Sequence, residues 1–405
     1  MDLVPRECVR SPWVDSPMNT GGFIRAFVTE VRNIYGTQDY IPLHAPVFEG
    51  QEKELVIQAL ESTFVSSVGK SVEEFESAIA RYTGARHAVA VSSGTAALHS
   101  ALYAVGVERG HEVITTPLTF VATCNAVSYC GAKPVFVDVS LNSLGLSPES
   151  LIDFLEQNAE VRDDGNCWNR SSESIIRACM PVHNLGHPAQ IHEISKICAR
   201  YNIVLIEDAA ESLGSFSNAQ HTGTIGQVGV LSFNGNKIIT TGGGGALITD
   251  DEALAKRLKH LTTTAKQPHR WLFWHDEVGF NYRLPNLNAA LGLAQLAQLD
   301  DFVEKKRRLA RHYEEWLTKW PEFQFFREPS DARSNYWLNA ISTPDKSARD
   351  DLLDQTNKLG IMTRPMWTPM NTLPMYENCQ QFHLDNAHSI ESTFVNIPSS
   401  VVSLE

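Results

Sequence analysis

The chain has 405 residues, of which 43% are hydrophobic and 20% charged, and its formal net charge is −13. That length fits a large domain plus a smaller one, and the composition is ordinary for a globular enzyme. The acidic balance argues against a nucleic-acid or anionic-membrane surface, no apolar run approaches the roughly 18–20 residues of a membrane span, and the N-terminus lacks the apolar stretch of a secretory signal. Seven cysteines, at positions 8, 124, 130, 167, 179, 198 and 379, form no CxxC pair. They read as reduced thiols of a cytoplasmic protein, against a disulfide framework or a zinc site.

In chain order, residues 1–40 read as an irregular leader with one amphipathic helix near 22–35. Alternation follows: helix 50–62, strand 87–93, helix 94–106, strand 112–117, helix 119–131 and strand 133–139. Helix 147–157 is opened by Ser147 as N-cap and Pro148 as first helical residue. Strand 175–183, helix 192–202 and strand 203–208 come next. Strands separated by helices of roughly 10–15 residues predict βαβ units and a largely parallel sheet. Two further strands, 229–234 and 245–250, have no helix between them and are free to pair differently. The polar, aperiodic run 158–174 reads as a surface loop or insertion. A long helical pattern over 286–317 leads to a strand at 336–343, a helix at 346–359 and a strand at 361–367. The expected division is a leader (1–40), a large α/β domain (41–285), and a bridging helix with a small α+β domain (286–405).

One stretch, SFNGNKIITTGGGGALITD, spans 232–250. A Walker loop needs GK followed by Ser or Thr, but Gly235 is followed by Asn236, Lys237 and Ile238. A dinucleotide fingerprint needs a third glycine where Leu247 stands, and a helix where a strand follows. The flanks are apolar and β-type, so a flexible linker fits poorly, and the glycines read as a tight reversal or a close backbone approach. Lys237, by default a solvated lysine, acquires meaning from its company. Ser232 ends one apolar strand, Glu207 and Asp208 end another, and SSGTAAL (92–98) is a strand-to-helix junction whose amides favour an anion. In an open α/β sheet such ends gather at the carboxyl edge. A lysine, an aspartate and an anion site suit pyridoxal 5′-phosphate: a Schiff base to the aldehyde, a proton held on the ring nitrogen, and a cradle for the phosphate.

SGTAAL, EDAAESLGS, SFNGNKIITTGGGGAL and FNYRLPNLNAALGLAQL, in that order, resemble the nucleotide-sugar aminotransferases of the DegT/StrS group. These are fold-type-I pyridoxal phosphate enzymes with a mostly parallel central sheet flanked by helices and a small C-terminal domain. The resemblance runs over 41–400. It implies that Lys237 is the Schiff-base lysine and, once released, the proton shuttle. A related group of dehydratases carries histidine there, so the lysine favours transamination over dehydration, the rival enzyme reading; a non-catalytic cofactor-binding regulator is the rival from another class. Asp208 matches the pyridinium partner, Gly94 and Thr95 with Ala96 nearby the phosphate turn, Ser232 a phosphate hydroxyl, and Phe120 the aromatic stacked on the ring. Glu211 stands where many members have histidine or glutamine beside the phenolic oxygen. Asn281 matches an asparagine that reaches the partner subunit's phosphate, which implies a homodimer with shared sites. Arg283, His187 and His275 are candidate substrate contacts.

Taken singly, these residues have blander readings: Asp208 a helix N-cap, Gly94 and Thr95 simple capping, Phe120 core, Glu211 a solvated helix residue, Arg283 a salt bridge, and the histidines structural. IPLHAPVF (41–48), STFVSSVGK (62–70) and the stretch 263–290 look most like the subgroup acting on UDP-linked 4-keto-6-deoxy-N-acetylhexosamines. The implied reaction takes an amino group from glutamate, leaving 2-oxoglutarate, and delivers it to a sugar C4 keto carbon, with no metal and no nucleic-acid or membrane partner.

Overall fold

The computed structural model describes residues 20–404; residues 1–19, with Cys8 and the first part of the expected leader, lie outside them. The apolar runs of the N-terminal two-thirds assemble into one mixed sheet. Its spatial order is His87–Val91, Gly245–Thr249, Val228–Ser232, Val204–Asp208, Ser174–Cys179, Glu112–Thr115, Lys133–Val137 and Gln381–Phe382. From Val228–Ser232 onward all neighbours are parallel. Gly245–Thr249 is antiparallel to both of its neighbours. It is reached directly from Ser232 without a crossover helix, so it must run back. Because it is flanked by two reversals, His87–Val91 again points the same way as the parallel set, and the carboxyl ends of these strands share one edge.

Helix Gly94–Ala104 packs on this sheet through small residues, Ala96, Ala97 and Ala101, which let its backbone approach the strands closely. Several expected elements differ in detail. The run 158–174 is a β-hairpin: Ala159–Val161 pairs with Cys167–Asn169, which pairs in turn with Ser174–Cys179. Its strands are three residues each, too short for periodicity to reveal. They are fastened instead by buried Asn169, whose Nδ2 donates to Glu112 Oε2 at 2.7 Å. The pattern over 286–317 breaks into Asn286–Leu296 and Leu299–Leu317. The helix expected from 119 starts at Ala122 and leaves Phe120 in the preceding turn. Helices Lys70–Thr83 and Glu252–Thr262 were not anticipated.

A second, antiparallel sheet joins Gln324–Phe325, Asn339–Ser342, Phe394–Ile397 and Arg364–Pro365. Helix Thr20–Tyr35 buries Phe23, Ile24, Phe27, Val31 and Ile34 against this C-terminal sheet. The Phe23 ring stacks on Phe323 with centroids 3.6 Å apart. Helix Leu299–Leu317 ties the two cores together: Leu299, Phe302 and Val303 enter the core beside the large sheet, whereas Leu309, Tyr313 and Trp316 enter the C-terminal one. Among the described residues no helix is long and apolar enough to cross a membrane.

Candidate active site

The carboxyl edge of the sheet opens into a cavity of about 350 Å³. Its walls include Gly94, Thr95, Phe120, Asp208, Glu211, Ser232 and Lys237, together with Thr123, Trp337 and Trp367. Each of the first group lies at or just beyond a strand end, so sheet register alone brings together residues far apart in sequence. Val91 and Ser232 both pair with Gly245, from its two sides.

Lys237 sits in the 233–244 connection between the antiparallel strands. Phe233 N–H donates to Gly244 O at 2.9 Å and Thr241 N–H to Phe233 O at 3.0 Å, closing the connection at its neck. Gly242 has φ of +79°, a left-handed turn that glycine enters freely. Gly245 has a different role, since a Cβ there would lie 2.7 Å from Ser93 O. Likewise a Cβ on Gly94 would lie 2.9 Å from Ser232 Cβ. The two glycines therefore let the helix start and the Ser232 strand end close on each other.

At that helix start Ser93 Oγ accepts Ala96 N–H at 3.0 Å, and Ser93 O accepts Ala97 N–H. The N–H groups of Gly94 and Thr95 are left at the positive end of the helix dipole beside the Ser232 hydroxyl, an arrangement fitted to a phosphate. Ala96, expected near this turn, does not line the cavity; its N–H is consumed by the cap.

The opposite end of the cavity is acidic. Asp208 is 3% exposed; its Oδ2 accepts Thr123 Oγ1 at 2.8 Å and its Oδ1 accepts Ala210 N–H at 3.2 Å. Burial raises its carboxyl above the ordinary range, while Thr123, Ala210 and Lys237 pull it back. A cationic ring nitrogen would relieve that burial penalty. No helix follows Asp208, so it is not an N-cap; residues 209–214 form turns. Nor is Glu211 a solvated helix residue. It is 5% exposed, its Oε2 accepts Leu185 N–H at 2.8 Å, and its Oε1 lies 3.4 Å from Lys237 Nζ. Burial raises its carboxyl too, opposed first by Lys237. Between these ends Phe120 is 55% exposed rather than core, and meets Trp367 edge-on. The donor turn, buried carboxylate, central lysine and open aromatic face fit pyridoxal 5′-phosphate.

Other candidates lie elsewhere. His187 is fully buried between Phe326 and Tyr336, with ring centroids 4.9 and 5.0 Å away, and burial holds its imidazole down to about 3. His187 does not line the cavity, so it is a core residue and not a contact within this cavity. His275 is on an exposed segment with Nδ1 at 2.8 Å from Thr264 O. Asn281 is exposed and bridges to Thr263 across the same segment. Arg283 bridges to Val91, and neither it nor Asn281 lines the cavity of its own chain. Sequence reading missed Thr123, although it lies one helical turn beyond Phe120, and missed Trp337 and Trp367, which arrive from the C-terminal region without a local signal.

Residues 46–403 match the DegT/DnrJ/EryC1/StrS aminotransferase family. A GDP-perosamine synthase of Escherichia coli O157:H7 is 37% identical over 367 residues, covering 89% of this chain and 93% of that protein. The putative pyridoxal phosphate-dependent aminotransferase EpsN of Bacillus subtilis is 36% identical, covering 87% of this chain and 88% of its own. A DegT DnrJ EryC1 StrS aminotransferase from Brucella abortus superposes with a TM-score of 0.77 at 28% identity, over 86% of this chain and 90% of that one. Likeness of that extent agrees with what the cavity was built to hold: the chain belongs to the DegT/DnrJ/EryC1/StrS aminotransferase family and is a pyridoxal phosphate-dependent aminotransferase.

Proposed function

We propose that the protein moves an amino group from glutamate to the C4 keto carbon of a 4-keto-6-deoxy sugar carried on a nucleoside diphosphate. The observation that carries this reading is Lys237, central in the cavity between the anion-binding turn and Asp208. The names of relatives such as the GDP-perosamine synthase support a nucleotide-sugar substrate. When bound, pyridoxal 5′-phosphate supplies an aldehyde that carries the amino group and a ring that takes up the electron pair of a deprotonated carbon. Gly94, Thr95 and Ser232 hold the phosphate end. Asp208 keeps a proton on the ring nitrogen, and Phe120 covers one face. Lys237 anchors the aldehyde and, when free, moves the proton between carbons as general acid and base. One cavity serves donor and acceptor in turn, so the kinetics are ping-pong.

The active unit in this reading is a homodimer in the cytoplasm that supplies amino sugars for surface glycans. Asn281 is the residue that would reach the partner's phosphate, and its segment is apolar and exposed, with Trp271 76% and Phe273 75% accessible. An open groove of about 590 Å³ between helices Glu52–Glu61 and Lys70–Thr83, walled by Phe64, Val68 and Leu293 with Lys70, Glu73 and Glu74, offers a second surface of mixed character. The carrier is uridine diphosphate by the motif resemblance and guanosine diphosphate by the relatives' names. Incubating the holoenzyme with glutamate and UDP-, GDP- or dTDP-linked 4-keto sugars, with products read by mass spectrometry, decides. An amino sugar on one carrier is expected. Failure to aminate any of them, with no glutamate-dependent change in cofactor absorbance, would falsify the reading.

A further inference from the structure

The Lys237 ammonium is gripped from two sides. Its Nζ lies 3.4 Å from Glu211 Oε1 and 3.8 Å from the centroid of the Trp337 ring. A cation over an indole face is attracted by the ring quadrupole, more strongly where water is excluded. Trp337 is 1% exposed, and its Nε1–H donates to Asn236 O at 2.6 Å, one residue before the lysine. The indole thus fixes both the turn that carries Lys237 and the end of its side chain.

The two gripping groups are themselves locked together. Asn335 Nδ2 donates to Glu211 O at 3.0 Å and to Leu213 O at 2.9 Å, and its Oδ1 accepts Trp337 N–H at 2.7 Å. Leu185 N–H donates to the Glu211 carboxylate, while Leu185 O accepts Leu338 N–H at 3.2 Å. Two non-glycine residues in this frame, Leu185 at φ of +58° and Tyr336 at +48°, occupy the left-handed region. Such conformations persist only where the surroundings over-determine them, and they cluster at functional sites. Gly186 leaves no slack either, since a Cβ there would meet Trp337 N at 3.0 Å.

We propose that Trp337 and Glu211 form a holding site for the Lys237 amine during the part of each turnover when it is not bonded to the cofactor. The proposal rests on the aminotransferase reading and goes beyond it by naming Trp337 as a positioning residue. A lysine released into a cavity has four stem bonds to turn about. The ring and the carboxylate keep its nitrogen beside the place where it must collect and deliver protons, so the benefit falls on kcat rather than on substrate affinity.

The contact is testable in cofactor-free protein by tryptophan emission. Lys237→Met is expected to change the emission of the wild-type background and to leave that of a Trp337→Phe background unchanged. In the holoenzyme the glutamate half-reaction, followed by single-turnover absorbance, is expected to slow about thirtyfold in Trp337→Leu, which removes the ring face. It is expected to slow only about threefold in Trp337→Phe, which keeps the face but loses the N–H. The glutamate KM and the visible band of the lysine-bound cofactor should stay near wild type in both. Equal emission changes in the two backgrounds, or an unslowed Trp337→Leu, overturns the proposal. If Trp337→Leu does not fold, the emission comparison of Lys237→Met in the wild-type and Trp337→Phe backgrounds decides alone. Neither readout uses a sugar, so failure here is distinct from failure of the sugar assignment.

Discussion

The cavity edge and the segment 264–282 are built on opposite terms. At the edge, buried carboxylates are met by donors from the same chain, Asp208 by Thr123 and Ala210, and Glu211 by Leu185 and Lys237. The segment is also shaped by its own contacts, with Thr264 N–H bonded to Phe280 O at 2.9 Å and Lys266 Nζ 3.9 Å over Phe273. Yet it turns Trp271, Phe273, Trp274 and Val278 to solvent. A fold that buries one side so thoroughly and leaves these large apolar residues, with Leu272 among them, open on another has separated two tasks. Bond chemistry is assembled within the chain, and completion of the site is left, in the proposed dimer, to a second copy.

This contrast can be broken at several points. The largest effect is expected from Lys237→Ala, which should remove the visible band of the bound cofactor and lower kcat by about 10⁴-fold or more. Survival of the band would move the chemistry elsewhere. Asp208→Asn keeps the shape but not the charge, and kcat should fall about 10²–10³-fold, the usual cost of one misplaced electrostatic partner. On the other region, Trp271→Glu with Phe273→Glu should raise the dimer dissociation constant about 10²-fold in sedimentation, since charge placed in an apolar contact strikes the energetic centre of an interface. The glutamate-independent visible band should persist in that variant if the edge is self-sufficient. Thr123→Val, which deletes one hydrogen bond to a buried charge, should cost about tenfold in kcat with glutamate.

The smallest effect concerns stability and pH. A carboxyl raised by burial is held at no cost while protonated; the penalty grows as pH rises above its unfolded value and is complete above its folded one. Burial raises both Asp208 and Glu211. Cofactor-free Asp208→Asn should therefore gain more in Tm over wild type at pH 7 than at pH 4. An equal shift at both values would show that the carboxylate is not destabilised in the empty cavity.

The sheet was legible because each parallel strand is a short apolar run bounded by turn residues, and burial on both faces demands that composition. Lys237, Asp208, Ser232 and the Gly94–Thr95 turn were legible because Asp208 and Ser232 close strands and the other three lie within five residues of a strand end, and strand ends in such a sheet gather at one edge. Residues that reach the cavity by tertiary packing carried no such signal. Trp337 comes from a turn pinned by Asn335 and Gly186, and nothing around it in sequence marks it as a neighbour of Lys237. His187 misled for the same reason: a histidine in a Gly-containing loop suggests a ligand, and only the packing of Phe326 and Tyr336 reveals it as core. The hairpin at 159–169 escaped because its strands are too short to show a period.

The position of helix Thr20–Tyr35 carries a consequence for biosynthesis. Its apolar face docks on Trp316, Phe323, Val395 and Ile397, so the first described helix is completed by the last described strand. At translation rates of about 5–20 residues per second, that partner leaves the ribosome on the order of 20–70 seconds later. Phe23, Ile24, Phe27 and Val31 are thus a nascent-chain liability throughout synthesis, while the large sheet, whose strands all fall between His87 and Thr249 except the edge strand Gln381–Phe382, is free to form most of its ladder ahead of them. A chaperone that acts early on this chain would find its binding stretch there, and truncation of the final strand would leave the beginning of the protein, not only its end, without a place to fold.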